Sequence, residues 1–309
     1  MTLHQNYIGI DVSKAHLDIF DPRTGQACRL SNQPQALARF AMSLLKGDIV
    51  IFEATGCYDL ALQTALDTAG IGHVRVNPLR ARDFARATGQ IAKTDRLDAQ
   101  MLAHMGQTFA LKPLQTAHPS RRQLTALVRR RDQLVAIRAR EANHRETADR
   151  VATDSIVRHV QWLSAEIAAI EKQIADMIET AKELKHANAL LRSAPGIGPV
   201  AATTLLALLP ELGSLSDKAI AALCGLAPIN RDSGTWRGKR SIGQGRTRVR
   251  MALYMAALNA TRCSDRFKSA YRAFRDRGKP AKLALIAIAR KLIVTLNAMI
   301  RNNTPFKQQ

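Results

Sequence analysis

The sequence predicts a chain of class α/β plus α, a mixed sheet first and helices after it. Three observations carry this. Short apolar runs bounded by Gly, Asp and Pro alternate with helical patterns over the first segment. From about Pro119 an apolar seam recurs at helical spacing. Lys and Arg then gather in the last third. These changes divide the chain into segments 1–115, 116–190 and 191–309.

In the first segment, YIGIDVS and HLDIF alternate or run apolar, and GDIVIFEAT and GIGHVRVNP are short β-rich runs. QPQALARFAMSLLKG and DLALQTALDTAG read as helices between them, the second closed by Gly70. The order is strand pair, strand, helix, strand, helix, strand, which makes a mixed sheet with crossovers.

In the middle segment Leu163, Ile167, Ile170, Ile174, Met177, Ala181 and Leu184 alternate spacings of four and three, a heptad seam. The basic stretch RRQLTALVRRRDQLVAIRARE is expected to pair with it antiparallel. The pattern fits a helical hairpin within one subunit and an intermolecular coiled coil equally well. The last segment runs SAPGIGPVAATTLLALLPELG, AALCGLAP, a loop rich in Gly, Arg and Ser, and two helices from about 246 and 280.

Charge is unevenly distributed. The first 110 residues hold 11 Lys/Arg against 10 Asp/Glu, whereas residues 191–309 hold 21 against 5, a net +16 of the chain's +21. So polarised a balance points to a polyanionic partner, nucleic acid above all. Cys28, Cys57, Cys224 and Cys263 form no C-x-x-C pair and the eight histidines no metal spacing, which argues against structural zinc and for a reducing compartment. No basic-then-apolar leader opens the chain, and Arg290-Lys291 interrupts the apolar run AKLALIAIARKLIVTLNAMI. A cytoplasmic protein with no membrane span is expected.

Two acids end apolar strands, Asp11 in YIGID and Glu53 in IVIFE. An unpaired carboxylate is costly to bury, so each must be paired, metal-bound or at an exposed strand end. Asp95 and Asp98 in AKTDRLDAQML stand three apart, which places them on one side of a helix, with Lys93 and Arg96 where phosphates would approach. Four such acids can converge on a cleft and offer the oxygen ligands that hard divalent cations take. Two such ions about 3.5–4 Å apart clamp both sides of a phosphodiester during displacement.

The loop INRDSGTWRGKRSIGQGRTRVR offers two hydroxyls, Ser233 and Ser241, among Arg231, Arg237, Lys239 and Arg240. A serine attacks phosphorus when it is deprotonated and the developing charge is neutralised, which this set of cations could do. The residues alone fit a simple phosphate-gripping loop as well. Trp236 could stack on a base or anchor the loop. PGIGPVA has the G-x-G-x-x-A spacing but no preceding strand, so the dinucleotide reading fails. Gly196 and Gly198 instead suit a helix-hairpin-helix-like turn whose N–H groups bind a phosphate, or a tight helix–helix connection.

Taken in order, YIGIDVSK, FEATGCY, NPLRARDFARATGQIAKTDRLDAQMLA, APGIGPVAATTLLA, CGLAPINRDSG and RVRMALYMAAL resemble the DEDD-type transposases of the insertion sequence 110 family, from about residue 6 to residue 305. The resemblance implies a RuvC-like, RNase H-type N-terminal domain with Asp11, Glu53, Asp95 and Asp98 as the acids that hold one or two Mg²⁺ ions. It also implies a catalytic serine followed by glycine, which selects Ser233 over Ser241. One departure is Gly243, which stands where the family often has lysine, leaving Lys239 or Arg246 to substitute. Further implied are strand exchange through a phosphoserine link, donor and target DNA, and a noncoding bridge RNA. An assembly from dimer to tetramer at the bacterial nucleoid is expected as well. The competing readings are a Mg²⁺-dependent RuvC-like junction nuclease without covalent serine chemistry, a sugar-kinase-like ATPase and an architectural binder. The ATPase leaves the C-terminal charge unexplained, and the architectural binder leaves the acids without a purpose.

Overall fold

The computed structural model describes residues 5–89, 95–113, 119–229, 232–233, 236–238 and 240–307. The chain divides into two compact units, Met1–Thr116 and Ala117–Gln309.

The first unit is a five-stranded mixed sheet. Its strands are β1 (Asn6–Val12), β2 (His16–Asp21), β3 (Gln26–Ser31), β4 (Asp48–Glu53) and β5 (Gly72–Val76), in spatial order β3-β2-β1-β4-β5. The pairs β1–β2 and β2–β3 are antiparallel, whereas β1–β4 and β4–β5 are parallel. Helices α1 (Pro34–Ser43) and α2 (Leu60–Ala69) make the crossovers, followed by α3 (Pro78–Ala87) and α4 (Asp95–Phe109). Up to β5 this is the order the sequence predicts.

Strand side chains alternate faces, so the pleat sorts the core into two layers. Ile8, Ile10 and Val12 join Val50 and Phe52 under α1 and α2, with Leu37 and Leu66. Tyr7 joins Ile49, Ile51 and Val74 under α3 and α4, with Phe84, Leu102 and Met105. Asp11 and Glu53 keep the parity of this second layer, so both belong to the α4 side of the sheet.

The second unit is helical and shares one hydrophobic cluster, which runs from Leu124 to Met299. Helices α5 (Pro119–Thr147) and α6 (Arg150–Thr180) pack on each other within the chain as a hairpin. The heptad seam does not run through to Leu184 in one helix. Ala181 is extended (φ −89°, ψ 105°), and α7 (Lys182–Ser193) starts anew beyond it. The buried positions of α6 are Leu163, Ile167, Ile170, Ile174 and Ile178, and the expected Met177 packs half-buried beside Ile178 against the same cluster. A straight helix of 3.6 residues per turn drifts off a strict 3.5 repeat, and the last turn shows that drift.

Next come α8 (Pro199–Leu208), α9 (Asp217–Leu223), the short strands β6 (Asp232–Ser233) and β7 (Trp236–Arg237), α10 (Thr247–Cys263), α11 (Asp265–Asp276) and α12 (Ala281–Asn302). Three helices, not two, follow the loop. Ser264 is extended (φ −138°, ψ 123°) and ends α10, and α11 then buries Phe267. The signal was legible: Phe267, Ala270, Tyr271 and Phe274 keep helical spacing and pack on the core. Among the described residues α12 is long and apolar enough to cross a membrane, and half of that stretch is buried inside the unit. Its Ile288, Leu292 and Leu296 are fully buried there.

Candidate functional site

Glycines bring α4 onto β1. A Cβ at Gly9 would lie 1.9 Å from Ala99 O and 2.6 Å from Ala103 N, so only glycine admits the helix backbone here. A Cβ at Gly106 would lie 2.8–2.9 Å from the Tyr7 side chain. Gly106 thus rides over Tyr7, and Ala99 and Ala103 over Gly9. A strand advances about 3.3 Å per residue and a helix about 1.5 Å, so two more strand residues bring the first turn of α4 to Asp11. That turn carries Asp95 and Asp98, placed where the positive end of the helix dipole favours carboxylates. Glu53 arrives from β4, one step beyond the Ile10–Phe52 pair in the parallel ladder.

Electrostatics follow the geometry. The Asp11 carboxyl is pushed up from 3.8 to about 6, first by burial and then by repulsion from Asp98, Asp95, Glu53 and Asp18. The four acids singled out in the sequence therefore share one field. Asp18 joins them. It is Asp11's partner across β1–β2, and Arg29 is its partner across β2–β3. Arg29 grips Asp18 with both prongs, Nε to Oδ1 and Nη2 to Oδ2 each at 3.0 Å, while Nη2 also lies 3.5 Å from Asp95 Oδ2. Neither Asp18 nor Arg29 was picked out from the sequence. Their signal was alternation: in HLDIF only Asp18 breaks the apolar run, and QACRLS places Arg29 opposite it.

An all-oxygen donor set, partly desolvated and self-repelling, fits a hard divalent cation in its chemistry. Among the described residues no three Asp, Glu, His or Cys side chains close into a ligand set as they stand. Asp95 instead faces a guanidinium. Arg96 is exposed on α4 between the two aspartates, and Lys93 lies outside the described residues.

The second unit carries the serine. Ser233 ends β6 and pairs with Trp236 of β7, while Asp232 pairs with Arg237, so Ser233 is the last paired residue of a short antiparallel ladder. The side chains of Ser233 and Arg237 lie outside the described residues, as do Arg231 and Lys239. Trp236 is 62% exposed, so it does not anchor the loop in a core. Ser241 stands at the ladder's base, its carbonyl accepting from Ile229 N at 2.9 Å, and Arg240 beside it is exposed.

That base is locked to the end of α9 by glycines and to the α8–α9 connection by one ion pair. Cβ atoms at Gly225 and Gly245 would meet Gln244 O at 2.3 Å and Leu223 O at 2.6 Å, and both residues have positive φ. Arg246 binds Glu211 at 2.5 and 2.6 Å and the Leu208 carbonyl at 3.0 Å. Arg246 is thus committed to structure, bonded to both oxygens of Glu211. Gly196 packs against α10, where a Cβ would lie 2.3 Å from Ala256 O, whereas Gly198 caps α8 with open space around it. Sequence reasoning missed the packing roles of Gly9, Gly225 and Gly245.

Residues 8–148 match a DEDD transposase family of the IS110 type, and residues 188–272 match the transposase IS116/IS110/IS902 family. The pilin gene-inverting protein of Moraxella bovis is 31% identical over 326 aligned residues, covering 99% of each chain. That of Moraxella lacunata is 30% identical over the same length, again with 99% of each chain covered. The 43.6 kDa protein of insertion element IS110 from Streptomyces coelicolor is 26% identical over 223 residues, 69% of this chain and 55% of its own. With a relative this similar along its whole length, and with both halves matched, the chain belongs to the IS110/IS116/IS902 family of transposases.

Proposed function

We propose that this transposase is an RNA-guided, Mg²⁺-dependent DNA recombinase that exchanges strands through a phosphoserine intermediate. The observation that carries the reading is the gathering of Glu53, Asp95 and Asp98 around the half-buried Asp11. Mg²⁺ bound by these acids supplies charge neutralisation at a phosphate. Ser233 Oγ attacks a DNA phosphorus and displaces a strand end, and the resulting ester conserves the bond until a second strand end replaces the serine. Its place at the end of β6, in a third of the chain with net charge +16, suits approach to a nucleic-acid backbone. Arg231, Arg237, Lys239 and Arg240 grip the scissile phosphate, and Gly196 and Gly198 a neighbouring one. A noncoding bridge RNA pairs with donor and target DNA, and an assembly of two to four chains holds the strands. Inversion, the activity named for the Moraxella relatives, is the same exchange between sites on one molecule.

Trapping tests the proposal. Full-length protein is incubated with its RNA, nicked or suicide DNA and Mg²⁺, and denatured. A protein–DNA adduct is expected for wild type and Ser241→Ala, and none for Ser233→Ala. Cleavage with no adduct would assign the chain to the acid-only nucleases.

A further inference from the structure

We propose that Arg29 is a built-in counter-cation for the acid cluster: anchored on Asp18, it holds the Asp95 carboxylate in the cation-free chain and competes with a divalent cation for it. The inference rests on the reading of the acids as a cation site and adds a positioning residue to it.

The sheet register builds the device. Asp11, Asp18 and Arg29 lie abreast across β1, β2 and β3, so their side chains share the α4 side of the sheet. The two contacts of Arg29 are unequal. Its fork closes on Asp18 with two bonds of 3.0 Å, and that carboxylate is only 16% exposed. A bidentate, shielded pair of this kind is the strong form of the interaction. The reach to Asp95 is a single 3.5 Å contact, and Asp95 is 64% exposed. Such a contact is weak and easily exchanged. Arg29 therefore stays with Asp18 while Asp95 can leave.

Release is what a cation site needs here. Asp95 contributes a ligand only by turning from the guanidinium, in keeping with the lack of a closed ligand set among the described residues. Until then the single positive charge of Arg29 offsets part of the repulsion among five carboxylates. Loading a divalent ion exchanges that charge for a larger one placed closer in.

The test is Mn²⁺ binding to the full-length protein, read from the electron paramagnetic resonance of the free ion, with Mg²⁺ as competitor. Arg29→Gln is expected to tighten Mn²⁺ binding by about 3- to 10-fold, most of it from losing the competing contact with Asp95 and less than about 2-fold from losing a nearby like charge. In an Asp95→Asn background the same change should move the Kd by less than about 2-fold, since contacting residues couple. Arg29 is 58% exposed on an edge strand, so its replacement leaves the core intact. Unchanged or weaker binding by Arg29→Gln overturns the proposal. So does an equal gain in the Asp95→Asn background, which would make Arg29 a distant charge only. Absence of Mn²⁺ binding in wild type and Arg29→Gln alike would instead remove the cation-site reading on which the inference stands.

Discussion

Replacing Asp11 by Asn should stabilise the cation-free protein even as it abolishes strand transfer. In the folded chain the carboxyl holds its proton up to about pH 6, against 3.8 ordinarily, because burial and neighbouring carboxylates penalise the ionised form. A raised carboxyl pKa means the folded state binds more protons than the unfolded one between these values. The contribution of Asp11 to stability is therefore fully present below about pH 4 and is lost as pH rises through about 6. The gap corresponds to at most about 3 kcal/mol, and screening at a half-buried carboxyl reduces this to about 1–2 kcal/mol. Asn keeps the shape and removes the charge. Urea unfolding in EDTA measures the effect, at pH 4 and at pH 7.5. Both tryptophans, Trp162 and Trp236, lie in the second unit, so tryptophan fluorescence reports that unit alone, and the transition of the first is read from far-UV circular dichroism, to which both units contribute. Asp11→Asn should exceed wild type by about 1–2 kcal/mol at pH 7.5 and match it near pH 4, and Mg²⁺ should then stabilise wild type alone. Equal or lower stability of the variant at pH 7.5 in EDTA would refute the claim that the acids share one field.

Gly9→Ala should cost about 3 kcal/mol or more, because the added methyl meets helix backbone at 1.9 Å rather than a side chain that can turn away. The thermal midpoint in EDTA checks it, and a loss below about 1 kcal/mol would mean α4 does not depend on this approach. Arg246→Ala should destabilise the second unit by about 2 kcal/mol by stranding Glu211, and adding Glu211→Ala should recover part of the loss. No recovery would argue that Arg246 serves something other than Glu211. Nucleic-acid affinity should fall with salt at a log–log slope of about −4 or steeper, given net +16 on the last third. A flat response in a filter-binding titration would contradict the charge argument.

What the sequence discloses here follows from period. Strands repeat every two residues and helices every 3.6, so the order of the first unit, the α6 stripe and the α4 aspartates could be read from local patterns. Asp11 and Glu53 stood out because each ends an apolar run where a carboxylate has no local reason to be. The misses lie where a second element decides. Ala181 breaks a seam that is itself continuous, since α7 must turn to join the cluster with α8 and α12. Gly9, Gly225 and Gly245 look like ordinary glycines until another backbone arrives within 3 Å.

Arg29 is the most instructive miss. One-dimensional reading ranks charges by their neighbours in sequence, and Arg29 has no charged neighbour within seven residues apart from Arg23. Its significance is created by lateral pairing, which places residues 11, 18 and 29 side by side although the chain separates them by two turns. The same pairing makes the acids a cluster instead of two isolated strand ends. A motif that names only the acids records the donors and leaves out the guanidinium that pairs with Asp18 and reaches Asp95. The contact of Arg29 with Asp18 and Asp95 is thus a property of the sheet register, and a one-residue slip of β3 would turn Arg29 to the opposite face and dissolve it.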